Sequence, residues 1–150
     1  MGRHSAQEFI PGPNCGIISI TTPGDKPAKL NGSWVSVLRW SRGDDETPVS
    51  PEDVKRIWDW VEANKHLNLY VHCDAGISRS AGVAQAIAMY LDCKVQPLEM
   101  KDIRYFLSFA DDENLTVESL ANKTIKAALM RHLWEKRLIV EAKESDDAGV

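Results

Sequence analysis

Cysteine is scarce in this chain. Its 150 residues include three, Cys15, Cys73 and Cys93, standing far apart. An odd, widely spaced set forms no disulfide framework and suits a reducing compartment. No Cys-x2-Cys or His-x3-His spacing occurs, so no metal site is expected. Basic clusters are missing as well. Eighteen Lys and Arg against 22 Asp and Glu leave a net charge of −4. That balance argues against nucleic acid as a partner. No apolar run nears the roughly 20 residues of a membrane span, so no membrane partner is expected. Arg3 and His4 are followed by no apolar segment, which excludes a secretory signal. Ala6 stands where a myristoylation motif after Met1-Gly2 needs Ser or Thr. No internal repeat is present. The expectation is a cytoplasmic, monomeric, single-domain protein. A domain of this size buries roughly 68–70% of its unfolded surface and needs no staples.

What is present centres on residues 69–82. Leu69, Tyr70 and Val71 form a short run of strand formers. From Ser80 the chain turns to Ala, Val, Ile, Met and Leu, which favour a helix. Between them lies Cys73-x5-Arg79, closed by Ser80. A loop that feeds a helix N-terminus gathers backbone N–H groups and the positive end of the dipole, a setting for an anion. Gly76 supplies the backbone freedom such a turn needs. Cys73 at the strand end faces that field, which favours its thiolate. Arg79 offers a planar fork for two phosphate oxygens. Ser80 can donate to the cysteine sulfur as it becomes a leaving group. Together these groups can bind a phosphate, attack its phosphorus and steady its equatorial oxygens.

The stretch His72-Cys73-Asp74-Ala75-Gly76-Ile77-Ser78-Arg79-Ser80 resembles the phosphate loop of the cysteine-dependent protein tyrosine phosphatases. Its Ala-Gly-Ile-Ser-Arg-Ser ending is most similar to the small dual-specificity branch. Ile18-Ser19-Ile20-Thr21-Thr22-Pro23-Gly24 looks like the first strand and loop of small bacterial and viral members. Ala121-Asn122 resembles their Pro-Asn, with Ala in place of Pro. The likeness spans most of residues 15–135 and is strong at 72–80. It implies that Cys73 is the nucleophile and that Asp74, Ala75, Gly76, Ile77, Ser78 and Arg79 cradle the phosphate. His72 is implied to order the loop and favour the thiolate. Asn122 is implied to place the attacking water, although capping a helix also suits it. The family carries a general-acid aspartate on a mobile loop some thirty residues before the cysteine. Asp45 precedes Cys73 by 28 positions and Asp44 by 29. The resemblance favours Asp45, with Asp44 the alternative. The Trp-Pro-Asp of the larger tyrosine-specific enzymes is absent.

The remaining chain reads as elements around that loop. Residues 1–13 are polar and end in Pro11-Gly12-Pro13, a flexible lead-in. Residues 15–20 and 34–40 are strands. Residues 41–49 form a polar loop carrying Asp44, Asp45 and Glu46. Ser50 caps a helix with Pro51 at its first position and Glu52 and Asp53 near the dipole's positive end. Val54, Ile57, Trp58 and Val61 give it one apolar stripe. Trp60 lies beside that stripe, partly buried. The helix over 81–91 is apolar nearly all round and should be buried. Pro97 opens a further helix through Leu98, Ile103, Phe106 and Leu107, and Asp111 to Asn114 make a solvated acidic turn. Asn122 caps a final helix with Ile125, Leu129, Leu133 and Trp134 on its buried side. Cys15 and Cys93 read as small buried residues, and a protective disulfide of either with Cys73 stays open. A single domain is expected over 14–141, with a disordered acidic tail at 142–150.

The implied architecture is α/β, three-layer α/β/α, around a mostly parallel sheet of four to five strands, protein tyrosine phosphatase-like. Ligands in such sheets sit at the carboxyl ends of strands, where Cys73 stands. The implied function is phosphomonoester hydrolysis on phosphorylated protein side chains through a cysteinyl-phosphate. Phosphotyrosine is the expected substrate, with phosphoserine and phosphothreonine alongside. No metal or organic cofactor is required. Family members that take inositol phosphates carry lysines inside the loop, whereas here Asp74 and Ile77 stand there. Two other readings remain open: a phosphatase-fold module that binds phosphorylated partners without turnover, and thiolate chemistry on another oxyanion such as arsenate.

Overall fold

Three runs of β-forming residues pair into one sheet. In the computed structural model, which describes residues 1–95 and 121–148 and side chains as far as residue 135, they are β1 (Cys15–Thr21), β2 (Ser36–Ser41) and β3 (Asn68–His72). The helices are α1 (Arg3–Glu8), α2 (Pro51–Asn64), α3 (Arg79–Leu91) and α4 (Lys123–Ala148). The sheet is parallel throughout, with strand order β2-β1-β3. The fold is therefore α/β as expected, but the described residues hold three strands where four to five were expected. Only three described segments are rich in strand formers; the larger number rests on the family likeness alone. The helix expected from Pro97 and the acidic turn at Asp111 to Asn114 lie outside the described residues.

The central strand β1 is buried at every position. Its side chains alternate between two layers. Ile18 and Ile20 join Trp40, Val71, Ile57 and Trp58 in a core shared with α3 and α4. Cys15 and Ile17 pack on the other face with Ala6 and Trp34. Among the described residues that second layer is thin, built mainly from α1 and loop residues. Phe9, Trp34 and Tyr70 form an aromatic triangle there, with ring centroids 5.1 to 5.6 Å apart.

The N-terminal lead-in is thus docked, not flexible. Ala6 is fully buried, and the Met1 ammonium donates to the Val71 carbonyl at 2.8 Å. Met1, Ala6 and Phe9 give this stretch a face to bury.

The helix signals hold where a cap and a stripe agree. Ser50 Oγ accepts the Asp53 N–H at 3.2 Å, and Val54, Ile57, Trp58 and Val61 are buried. Trp60 is partly buried and donates to Ser36 Oγ at 3.0 Å. Asn122 Oδ1 caps α4 through the Ile125 N–H at 3.0 Å. Ile125 and Leu129 are buried, and Trp58 Nε1 donates to the Leu129 carbonyl.

Trp134 is exposed instead of buried. It follows Ile125 by nine positions, which places it on the opposite side of a helix with 3.6 residues per turn. The helix backbone continues through Ala148, into the stretch from 142 read as a disordered tail. Cys93 is exposed, not buried. It follows Asp92, whose left-handed φ of 51° ends α3 and turns the chain outward. Met89 and Tyr90 are also exposed, so the end of α3 is less enclosed than its composition implies. No described helix is long and apolar enough to cross a membrane.

One close approach positions the site. A Cβ at Gly82 would lie 2.7 Å from the Asn122 carbonyl oxygen. In an ordinary helix Gly→Ala gains about 1 kcal/mol. Here the overlap is with backbone, so α4 must shift. Gly82→Ala is expected to destabilise the protein by about 1–3 kcal/mol, read as a lower denaturation midpoint at unchanged m-value.

Candidate active site

Strand β3 ends at His72, and seven residues later α3 begins at Arg79. Between them the chain curls around Cys73. The sulfur accepts the Gly76 N–H at 3.2 Å and lies 3.3 Å from Ser80 Oγ. Gly76 takes φ +74°, a conformation that side chains resist. Cys73, Arg79 and Ser80 are all buried. The loop is braced from behind: the Cys73 N–H donates to the Met1 carbonyl at 3.1 Å, and the Arg3 N–H donates to the Asp74 carbonyl at 2.9 Å. A Cβ at Gly76 would collide with Met1 and Gly2 backbone.

Arg79 is fixed by three acceptors. Its Nη1 donates to the Arg42 carbonyl at 2.7 Å and to Thr22 Oγ1 at 3.0 Å, and its Nη2 donates to Asp74 Oδ2 at 3.2 Å. Asp74 also accepts from Thr22 Oγ1. That hydroxyl, and then Arg79 and Arg3, hold its carboxyl below the usual range. Asp74 therefore sits ionised at the loop as a brace for the arginine.

His72 belongs to a polar rung that crosses all three strands. The register sets Arg39, Ser19 and His72 side by side. A carbonyl only accepts, so His72 Nδ1 carries the proton shared with the Cys73 carbonyl at 3.2 Å. Nε2 then accepts from Ser19 Oγ at 2.6 Å, and Ser19 Oγ accepts from Arg39 Nη1 at 3.0 Å. Burial pushes the imidazole down to about 4, aided by the positive charges of the N-terminus, Arg39 and Arg3. His72 is neutral at physiological pH. Ser19 and Arg39 escaped the sequence reading. The only signal was a polar Ser19 amid isoleucines, and its meaning depends on strand register.

The loop after β2 brings one of its two aspartates to Cys73's loop. Asp44 Oδ1 accepts from Ser78 Oγ at 2.7 Å and from Asn122 Nδ2 at 2.9 Å. Asp45 turns away. Its Oδ1 accepts the Thr47 N–H at 2.9 Å and lies 3.4 Å from Arg42. The Thr47 hydrogen bonds, with a smaller contribution from Arg42, pull its carboxyl below the usual range. Asn122 has two tasks, capping α4 and holding Asp44. Ala75 and Ile77 complete the loop between the described anchors, Ala75 exposed and Ile77 half-buried.

No protein-family model matches the chain, and no curated protein matches it. Among solved structures, the chain is similar to PTPMT1, at 19% identity and a TM-score of 0.47 over 86% of this chain and 80% of that one. It is also similar to P. aeruginosa TpbA in complex with pTyr, at 14% identity and a TM-score of 0.42 over 86% and 81%. A second TpbA structure gives 16% and 0.40 over the same shares.

The buried imidazole predicts a pH dependence of stability. Unfolded, His72 titrates near 6.5; folded, near 4. The unfolded chain binds the extra proton between these values, so stability falls as pH drops from about 6.5 to 4. The loss is on the order of 3 kcal/mol. Asp74 and Asp45 act in the same direction at lower pH. Melting curves across pH 7 to 4 should show this slope in the wild type and a flatter one in His72→Asn.

Proposed function

We propose that the chain is a cysteine-dependent phosphatase that hydrolyses phosphomonoesters on protein side chains. The observation that carries this reading is the placing of Cys73 Sγ on the Gly76 N–H, within a loop that closes on buried Arg79. Three of the five Arg79 N–H donors are engaged by the described residues. The Nε–H and the second Nη2–H share one edge of the guanidinium and suit two phosphate oxygens.

The thiolate attacks phosphorus, the S–P bond forms, and the P–O bond to the leaving group breaks. Asp44 gives its proton to the departing oxygen. Ser80 turns its hydroxyl toward the sulfur and steadies it as a leaving group. Water then attacks phosphorus, Asp44 takes the proton, the S–P bond breaks, and inorganic phosphate leaves. Asp44 is preferred over Asp45 because it contacts Ser78 in the loop, whereas Asp45 is tied to Thr47 and Arg42. Asn122, holding Asp44, stands where it can also orient the water.

The proposed substrates are phosphotyrosine together with phosphoserine and phosphothreonine in proteins or peptides. The ionised Asp74 disfavours ligands with several phosphates. A reducing, cytoplasmic setting and a monomer suit a reactive thiolate without disulfides.

Hydrolysis of phenyl phosphate, whose leaving group needs a proton, tests the scheme. Cys73→Ser should abolish turnover. Asp44→Asn should lose roughly 10²-fold or more, while Asp45→Asn should stay within about fivefold of the wild type. Wild-type rates in Cys73→Ser would remove Cys73 as nucleophile, and the reverse order of the two aspartates would move the acid to Asp45.

A further inference from the structure

Asp44 and Asp45 are neighbours on one exposed loop, carry the same charge, and could compete for the same donors on Ser78 and Asn122. Something must separate them. Arg42, the first residue after β2, is 8% exposed although its charge would favour water. Its Nη2 donates to the carbonyls of Asp45, at 3.3 Å, and Thr47. The same nitrogen lies 3.4 Å from the Asp45 carboxylate. Its Nε is buried without a hydrogen-bond partner among the described residues. An orphaned buried N–H is costly, so this side chain is not placed to satisfy itself. It is placed to clamp the loop. Through its own carbonyl, Arg42 also receives Arg79 Nη1 at 2.7 Å. One residue thus joins the acid-bearing loop to the arginine of the phosphate loop.

We propose that Arg42 is the positioning residue that selects the proton donor: it pins Asp45 outward and thereby delivers Asp44 to the rim of the Cys73 loop. The proposal rests on the phosphatase reading above. It assigns Arg42 no contact with substrate. Its effect runs through the loop carbonyls, the Asp45 carboxylate and the Arg79 guanidinium. A donor displaced by about 1 Å can cost about 10²-fold, and in kcat/KM, which reads only the steps through departure of the leaving group, the loss appears only where that group needs a proton.

Two esters separate this role from a general structural one. The p-nitrophenolate of p-nitrophenyl phosphate leaves readily unprotonated; the phenolate of phenyl phosphate does not. In Arg42→Gln, kcat/KM on phenyl phosphate should fall about 30- to 100-fold and kcat/KM on p-nitrophenyl phosphate by less than about fivefold. Inhibition by inorganic phosphate should change by less than about threefold, since the phosphate loop persists. Arg42→Lys reaches less far and should give an intermediate ratio between the esters. Equal losses on both esters, or no loss on phenyl phosphate, would overturn the proposal. If Arg42→Gln does not melt cooperatively, Arg42→Lys decides, and a wild-type ratio there overturns it. Wild-type protein without Cys73-dependent turnover of either ester would sink the phosphatase reading and this proposal together. An active wild type with an unchanged ratio in the variants would sink only the role of Arg42.

Discussion

Cys73 is held on three sides: its carbonyl by His72, its N–H by the Met1 carbonyl, and its sulfur by the Gly76 N–H. Everything else at the site depends on that grip. A polar loop of this kind has no apolar core of its own, so it keeps its shape only if the rest of the chain supplies partners. Here they come from the N-terminal segment, the middle strand, the loop after β2 and the start of α4. The thin second layer of the sheet becomes intelligible in this light. Helix α1 covers little area, but the residues before it fill the space behind Gly76, where no side chain fits.

Charge is organised locally against the chain's overall balance. The protein is net negative, yet Arg79, Arg42, Arg39 and Arg3 converge near the carboxyl ends of the strands. Each of the first three has backbone or side-chain acceptors that fix it, which limits the conformational entropy lost when an anion arrives. Asp74 offsets part of the positive charge and braces Arg79 at once. Neutral His72 lets a hydrogen-bonded chain cross the sheet without burying a further charge, which would be expensive. The polarity of that chain runs one way, from the Arg39 guanidinium to the Cys73 carbonyl.

Much of this was legible in the sequence where a signal was local. The run Leu69-Tyr70-Val71 followed by Cys-x5-Arg and an alanine-rich helix gave strand, loop and helix in the right places. Ser50-Pro51 and the stripe over 54–61 gave α2 with its buried face. What escaped depends on register and on distant partners. That Ser19 meets His72 follows from strand pairing, which no single segment encodes. Asp44 and Asp45 differ by one position, and only Ser78, Asn122 and Arg42 tell them apart. The likeness to a family favoured Asp45, whereas it is Asp44 whose carboxylate contacts Ser78 and Asn122. Trp134 is apolar, but its angular position on the helix faces it away from Ile125. The polar residues of 1–13 mask the apolar face that Met1, Ala6 and Phe9 make.

The contacts at the site are far apart along the chain. Ser19 and His72 are separated by 53 positions, Ser78 and Asp44 by 34, and Asn122 and Asp44 by 78. Parallel strands deepen this separation, because each must wait for a crossover to complete. During ribosomal synthesis Cys73 therefore emerges well before its neighbours can be assembled around it. Cys73 leaves the exit tunnel as an ordinary thiol on a nascent chain. It gains its full setting only once residue 122 has followed and α4 can dock beside Gly82. Assembly of the site is thereby coupled to the completion of the fold, and a chain stalled short of that helix carries the cysteine without its partners.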